Sequence, residues 1–391
     1  MKILKTIKNN EVKKTTFLGI NIYEQKYDFD KNLIKYQKFL NGLITTCKNN
    51  DYKNNFTEKN INFLGKKLIK ITEKDDICEY YLFNARIKSI RISQKFYNKY
   101  KKYFKEKYDD FYIINANSGE ACLFLSMLID SFMKKRESKN PLIIATKKYH
   151  VDLIKMFCTE FSYVLLENLN LNIKKDEFSI GNKRFFIIFT QSHFVQTEQD
   201  IKAKPIGQAH FFNSMLKRLK LTENDINKRI PKVSEKASNS VIKKAKKIGL
   251  NLNNFIFIAP EAQSCMPIDY EYLKERIKKY KAEGLDIYLN LKSNNNYYTQ
   301  LECKSLNLSL TEAYILAKHS KKILALRSGL CELLTFTNKP IEIVYTKFRY
   351  RHLFEDMDVN NVISGFTMML IPNIDKSKIS EFDLLNRELI K

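Results

Sequence analysis

Residues 321–346, KKILALRSGLCELLTFTNKPIEIVYT, decide the fold. The apolar run Ile323 to Leu326 predicts a buried strand, Arg327-Ser328-Gly329 a tight turn, the residues that follow a helix, and Ile341 to Tyr345 a second strand. The turn delivers a serine hydroxyl, backbone N–H groups and a cation to a helix start. The first N–H groups of a helix lack partners and its dipole is positive at that end, so such a turn favours an anion. Only 10 of the 391 residues are glycine, so Gly329 marks a position where backbone geometry demands one. An ordinary β-α turn would use the same residues; the flanking strands favour a phosphate site.

Working outward, the surrounding sequence alternates strand and helix. FIFIAPEA (255–262) and LDIYLNLK (285–292) read as strands, Tyr270 to Glu283 as a helix ending at Gly284, and LSLTEAYILAKHS (308–320) as another helix. An earlier series begins at Phe111. FYIINAN is a strand that turns at Ser118-Gly119 into a helix from Glu120 to Lys134. PLIIATKK (141–148) is the next strand, HVDLIKMFCTEF a helix, YVLLENL a strand, and RFFIIFT (184–190) closes the series. Residues 207–250 are basic and mostly helical, with a stop at Gly249. Residues 350–391 are expected to form closing helices.

The fold class is therefore α/β, with two Rossmann-like domains facing one another after a mainly helical N-terminal extension. The expected boundaries are 1–110 for the extension, 111–245 for the acceptor-side domain and 246–391 for the domain that holds the anion. Within the extension, TTFLGINIYEQKYD (15–28) reads as a hairpin. Residues 31–48 and 90–107 have helical spacing, the second strongly basic on one side. No internal repeat of fixed period stands out.

Composition narrows the classes. Hydrophobic residues make up 44%, which suits a globular chain. No apolar run is long enough to span a bilayer and the N-terminus lacks a secretory core, so a cytoplasmic location is expected. The seven cysteines form no C-x-x-C pair and the five histidines no ligand spacing, so neither a disulfide framework nor a metal is expected. The net charge of +25 accompanies abundant Lys, Asn, Ile, Tyr and Phe and a scarcity of Gly, Pro and Trp. That pattern fits AT-rich coding bias, and the remaining excess attracts nucleotides, nucleic acid or an anionic membrane surface.

The candidate site residues sit where strands end. They are Glu261, Gln263 and Ser264 after the strand at 255, Asn290 and Lys292 after the strand at 285, and Arg327, Ser328 and Gly329 after the strand at 323. Strand ends of one parallel sheet are neighbours, so these groups can surround a diphosphate. In the first series Asn117, Ser118, Gly119 and Glu120 hold the equivalent turn. Glu120 gains from the helix dipole, which explains it without chemistry; the functional reading makes it a general base that takes a proton from an acceptor hydroxyl. His193 and His210 are secondary candidates, while His150 and His352 read as surface or capping residues. No G-x-S-x-G, P-loop or G-x-G-x-x-G motif is present, which argues against a hydrolase, a P-loop NTPase and a dinucleotide oxidoreductase.

The order S-L-x-E-A-x-x-x-A helix, strand, R-S-G-L-x-E-L turn, helix and K-P strand resembles the nucleotide-binding half of two-domain (GT-B) glycosyltransferases. It is most similar to the lipopolysaccharide heptosyltransferases of glycosyltransferase family 9. There the turn usually reads D-S-G-x-x-H and holds the diphosphate of a nucleotide-sugar. Ser328 and Gly329 carry over, Arg327 stands for the acid and Glu332 for the histidine. Gly119-Glu120 matches in type the family's G-D turn, whose acid is the proposed base. The family's phosphate-neutralising lysine is absent from Ala262-Gln263-Ser264, leaving that task to Arg327 or Lys292. The resemblance covers residues 111–346. It implies a metal-independent, inverting transferase that uses a nucleotide-sugar as co-substrate and no cofactor. The acceptor would be a lipopolysaccharide, capsule or related glycan, with the enzyme peripheral on the inner face of the cytoplasmic membrane. Other GT-B enzymes of surface-polysaccharide synthesis, an epimerase, and a basic nucleic-acid-binding protein stay open as alternatives.

Overall fold

The structure is a computed structural model. It describes the strands between residues 4 and 51, largely as backbone, residues 56–167 except 65, 75 and 84, and residues 169, 176–189, 210–262, 265–291, 296–301, 303–346, 366–384 and 388–390. The chain gathers into two compact units, residues 1–109 with 169–195, and residues 110–168 with 196–391.

The first unit corrects the expectation of a helical extension. Nine strands follow one another as an antiparallel meander: β1 (Leu4–Lys8), β2 (Val12–Phe17), β3 (Ile20–Asp28), β4 (Ile34–Phe39), β5 (Ile44–Asp51), β6 (Phe56–Phe63), β7 (Lys66–Lys74), β8 (Ile77–Leu82) and β9 (Ala85–Arg91). The hairpin read at 15–28 is present as β2 and β3. Residues 31–48, read as a helix, supply β4 and β5, with Phe39 opposite Ile44. The decisive signal in that stretch is Asn41-Gly42 followed by β-branched Ile44-Thr45-Thr46. Asn-Gly favours a tight hairpin turn and β-branched residues favour a pleated strand, which outweighs a loose helical spacing. Of the stretch 90–107, residues 90 and 91 end β9, α1 (Ile92–Tyr100) follows directly, and a 3-10 turn at Lys101–Tyr103 closes it. α1 buries Ser93 and Phe96 and leaves Gln94, Lys95, Asn98 and Lys99 exposed.

In the second unit β10 (Asp110–Ile114) pairs parallel with β11 (Pro141–Ala145), and β11 with β12 (Ser162–Leu165). Every residue of β10 and β11 is buried, as expected of strands covered on both faces. α2 (Ser118–Leu123) runs through a π-helical turn at 124–128 into α3 (Ile129–Lys135), and α4 (Lys148–Phe157) crosses over from β11. The chain then returns to the first unit as a hairpin of β13 (Glu177–Ile180) and β14 (Lys183–Ile188). There the Phe178 and Phe185 rings stack at 4.8 Å, and Phe96 meets both edge-on at 6.1 and 5.9 Å.

The rest of the second unit holds α5 (Phe211–Leu219), α6 (Glu235–Lys247) and a larger sheet. That sheet runs β17 (Lys304–Leu306), β16 (Asp286–Asn290), β15 (Phe255–Ala259), β18 (Lys322–Leu326), β19 (Ile341–Tyr345), β20 (Ile379–Asp383) and β21 (Glu388–Ile390). All neighbours pair parallel except β20 with β21. The order reverses at β15, between β16 and β18, which places the switch point where the next strand end is Arg327. The crossovers are α7 (Tyr270–Ala282), α8 (Leu310–His319) and α9 (Gly329–Leu334). Gly249 and Gly284 have φ of +70° and +74° at the ends of α6 and α7, as left-handed helix stops require. The expected closing helices are corrected: residues 366–390 give short 3-10 turns and the strands β20 and β21, and residues 350–365 lie outside the described residues. Glu381 and Asp383 are both buried on β20, so polar residues mask the strand in the sequence. Glu381 is held by the Tyr345 hydroxyl at 2.6 Å and the Met368 amide at 2.8 Å.

Among the described residues no helix is long and apolar enough to cross a membrane.

Candidate active site

The carboxyl ends of β10, β11 and β18 lead into α2, α4 and α9, and the N-termini of these helices face one cavity of about 640 Å³ in the second unit. Its wall includes Asn117 to Glu120, Lys147 to Tyr149, Asp152, Asn307 to Leu310, Arg327 to Gly329, Glu332, Phe211 and Phe366. The volume suits a ligand of nucleotide size.

Two turns read in the sequence touch here. A methyl group built on Gly119 would lie 3.0 Å from the Glu332 carboxyl carbon and 3.0 Å from the Gly329 Cα. A methyl on Gly329 would overlap the Gly119 amide nitrogen and the Ser118 hydroxyl outright. Glycine at 329 is therefore a matter of space between two backbones. Gly329→Ala is expected to force α2 and α9 apart and destabilise the chain by about 1–3 kcal/mol or more. Thermal denaturation measures it, and an unchanged melting temperature would mean the helix ends do not meet.

Arg327 is not a free cation. It is 7% exposed and Glu332 2% exposed, and the two form a bidentate pair with Nη2 to Oε1 at 2.7 Å and Nη1 to Oε2 at 3.2 Å. Its Nε donates to the Phe366 carbonyl at 2.9 Å and Nη1 to the Ser328 carbonyl at 2.9 Å. The guanidinium also lies 5.8 Å from the Phe211 ring centre. The pairing pushes the guanidinium's proton affinity up despite burial, so the charge is permanent. Of the donor-side residues, Arg327 and Glu332 thus satisfy each other, while Ser328 caps α9 by accepting from the Leu330 amide at 3.4 Å.

Glu120 lies on the cavity wall. The residue is half-buried, and desolvation of its carboxyl pushes it up to about 7, with the neighbouring Glu332 charge adding to the rise. Its own amide, Arg327 and the Asn117 side chain act in the opposite direction. A carboxyl titrating near neutrality beside a cavity is equipped to accept a proton and release it.

Among the described residues, the exposed cations that line the cavity are Lys147 and Lys148 at the start of α4, and Lys148 also lies 3.9 Å from the Glu167 carboxylate. Asp152, one turn into α4, accepts from the amides of Leu310 and Thr311 and so occupies the N-terminus of α8. Ser309 and Glu312 complete a capping box on the same helix. The sequence reading gives no site role to Lys147, Lys148 or Asp152. The sequence predicts a strand through both lysines of PLIIATKK, whereas β11 stops at Ala145 and Lys147 and Lys148 open α4. The S-x-x-E box at Ser309–Glu312 was legible as a helix start.

Other candidates fall elsewhere. Glu261 follows β15 but does not line this cavity. Gln263, Ser264, Lys292 and His193 lie outside the described residues, as does His352. His210 is 1% exposed, caps α5 by accepting from the Phe212 amide at 3.3 Å, and donates Nε2–H to the Thr367 carbonyl at 2.8 Å. Burial pulls it down to about 4, so it is a neutral structural histidine. His150 is likewise buried, 2.9 Å from the Ala116 carbonyl, and pulled down to about 4. The expectation for His150 is a surface or capping role; the structure buries it in the core instead.

No family model matches the chain, and no curated protein matches it in sequence. Solved structures that resemble it include the glycosyl transferase family 9 protein from Veillonella parvula DSM 2008, with TM-score 0.44, 10% identity, and coverage of 61% of this chain and 81% of that one. Escherichia coli ADP-heptose lps heptosyltransferase II has TM-score 0.42 at 13% identity, covering 61% and 84%. A putative UDP-N-acetylglucosamine 2-epimerase from Listeria monocytogenes has TM-score 0.33 at 10% identity, covering 62% and 80%. Glycosyltransferase family 9, which the motifs resemble, is thus represented among them at remote similarity.

Proposed function

We propose that the chain is a glycosyltransferase that moves a sugar from a nucleotide-sugar to an acceptor hydroxyl of a surface glycan. The observation that carries this reading is the position of Glu120 on the wall of a cavity of about 640 Å³ shared with the N-termini of α2, α4 and α9 and with Lys147 and Lys148, where desolvation raises the carboxyl's proton affinity. Glu120 takes the acceptor hydroxyl proton while that oxygen bonds to the anomeric carbon. The bond from that carbon to the diphosphate breaks, and the leaving nucleoside diphosphate keeps the electron pair. A single displacement of this kind inverts the anomeric centre.

The N-termini of α4 and α9, with Lys147 and Lys148, meet the charge growing on the diphosphate, the electrostatic task a metal performs in other enzymes. Arg327 does not contact the phosphate in this scheme; its pair with Glu332 holds the α9 turn and sets the field at Glu120.

A thermal-shift panel of UDP, GDP, ADP, CDP and CMP tests the donor site. One nucleotide at about 100 times its Kd is expected to stabilise by about 2.7 kcal/mol, with EDTA leaving the shift intact. Lys147→Ala/Lys148→Ala is expected to reduce that shift. A panel without a responder overturns the donor site, and a responder that needs magnesium overturns the metal-free scheme. Donor turnover without any acceptor would favour the epimerase alternative, and tight, salt-steep binding of oligonucleotides would favour nucleic acid.

A further inference from the structure

The first unit carries an apolar edge that the catalytic reading does not use. Two neighbouring hairpins, β6–β7 and β8–β9, turn at the same end of the meander. The Phe83 amide, in the second turn, donates to the Leu68 carbonyl of the first hairpin at 3.0 Å, which fixes the two tips side by side. Each turn begins with a bulky apolar residue in the left-handed region, Leu64 at φ 48° and Phe83 at φ 47°. Asparagine, aspartate or glycine ordinarily holds that position, and a large side chain there is strained. Both side chains nevertheless stand in solvent, Leu64 65% and Phe83 68% exposed, with Phe63 at 44%, Leu82 at 39% and Ile87 at 64% beside them. Local energetics favours none of this, so the edge needs another explanation.

Charge identifies the occupant. The residues bordering the two described tips are Lys66, Lys67, Arg86 and Lys88, and residues 63–67 and 82–88 contain no acid. Arg86 pairs with Glu79 at 2.9 Å and Lys67 with Glu58 at 3.7 Å, while Lys66 and Lys88 are exposed. Apolar tips ringed by cations match a surface that is anionic outside and hydrocarbon beneath. We propose that this end of the meander is a membrane-docking edge, with Leu64 and Phe83 entering the acyl boundary of an anionic bilayer and the lysines resting on its headgroups.

The test uses the full chain in flotation with vesicles of phosphatidylcholine alone and of phosphatidylcholine mixed with phosphatidylglycerol. The wild-type chain is expected to float with the mixed vesicles and not with the neutral ones. Leu64→Asn/Phe83→Asn is expected to lower partitioning about tenfold or more while holding or raising the melting temperature, because asparagine suits the left-handed turn. Lys66→Glu/Lys88→Glu is expected to lose binding as well. Absence of binding to mixed vesicles, or binding that survives the asparagine pair, overturns the proposal. A wild-type dimer that becomes monomeric in the asparagine pair also overturns it, assigning the edge to a second copy of the chain.

Discussion

Replacing Arg327 with methionine is expected to lower stability by about 3–5 kcal/mol, because the change strands a carboxylate that is 2% exposed. Glu332→Met is expected to do comparable damage by stranding the guanidinium. Combining them as Arg327→Met/Glu332→Met removes both charges together, and most of the lost stability is expected to return. Melting temperatures of the three variants measure the coupling. A double variant as unstable as the sum of the singles would mean that the two side chains do not act as one unit. The pair also sets the field at Glu120, since Arg327 lowers its proton affinity and Glu332 raises it. Glu332→Gln is thus expected to move the acid limb of the pH–rate profile to lower pH.

The second large effect concerns Glu120. Glu120→Gln is expected to lower turnover about 100- to 10,000-fold with donor affinity retained, the usual contribution of a positioned general base. Near-normal turnover would remove the residue from the chemistry. The wild-type rate is expected to fall below about pH 7, where the carboxyl takes up its proton. Stability supplies an independent reading. The folded chain keeps a proton on Glu120 up to about 7, whereas the unfolded chain releases it near the ordinary glutamate value of 4.5. Between those values the native state binds more protons, so its stability declines as pH rises and the full penalty is present above 7. Glutamine has no such penalty. The variant is expected to be more stable than wild type at alkaline pH, by up to about 3 kcal/mol, and to lose that advantage as pH falls towards 4.5. Equal pH dependence in the two chains would show that the carboxyl is not enclosed.

The sequence by itself determined most of the second unit's elements, though not β17, β20 and β21. Ile323 to Leu326 and Ile341 to Tyr345 are apolar runs too short for helices, the turn between them holds Ser328 and Gly329, and Gly249 and Gly284 stop helices that their neighbours begin. Local chemistry specifies each of these, so β18, α9, β19 and the glycine stops were legible without coordinates. In the first unit the strands were legible only in part, since Asn41-Gly42 outweighed a helical spacing that 31–48 also allows.

What the tertiary structure alone decided is partnership. Arg327 and Glu332 read separately as donor-site residues; packing buried them together, and a buried guanidinium keeps its charge only with a carboxylate against it. Gly119 and Gly329 are 210 positions apart by number, and their need for hydrogen side chains arises from each other's backbone. His150 and His210 went to the core because a carbonyl awaited each ring there. Glu120 owes its proton affinity to burial, which no local pattern encodes, because desolvation depends on everything the rest of the chain places around one carboxyl.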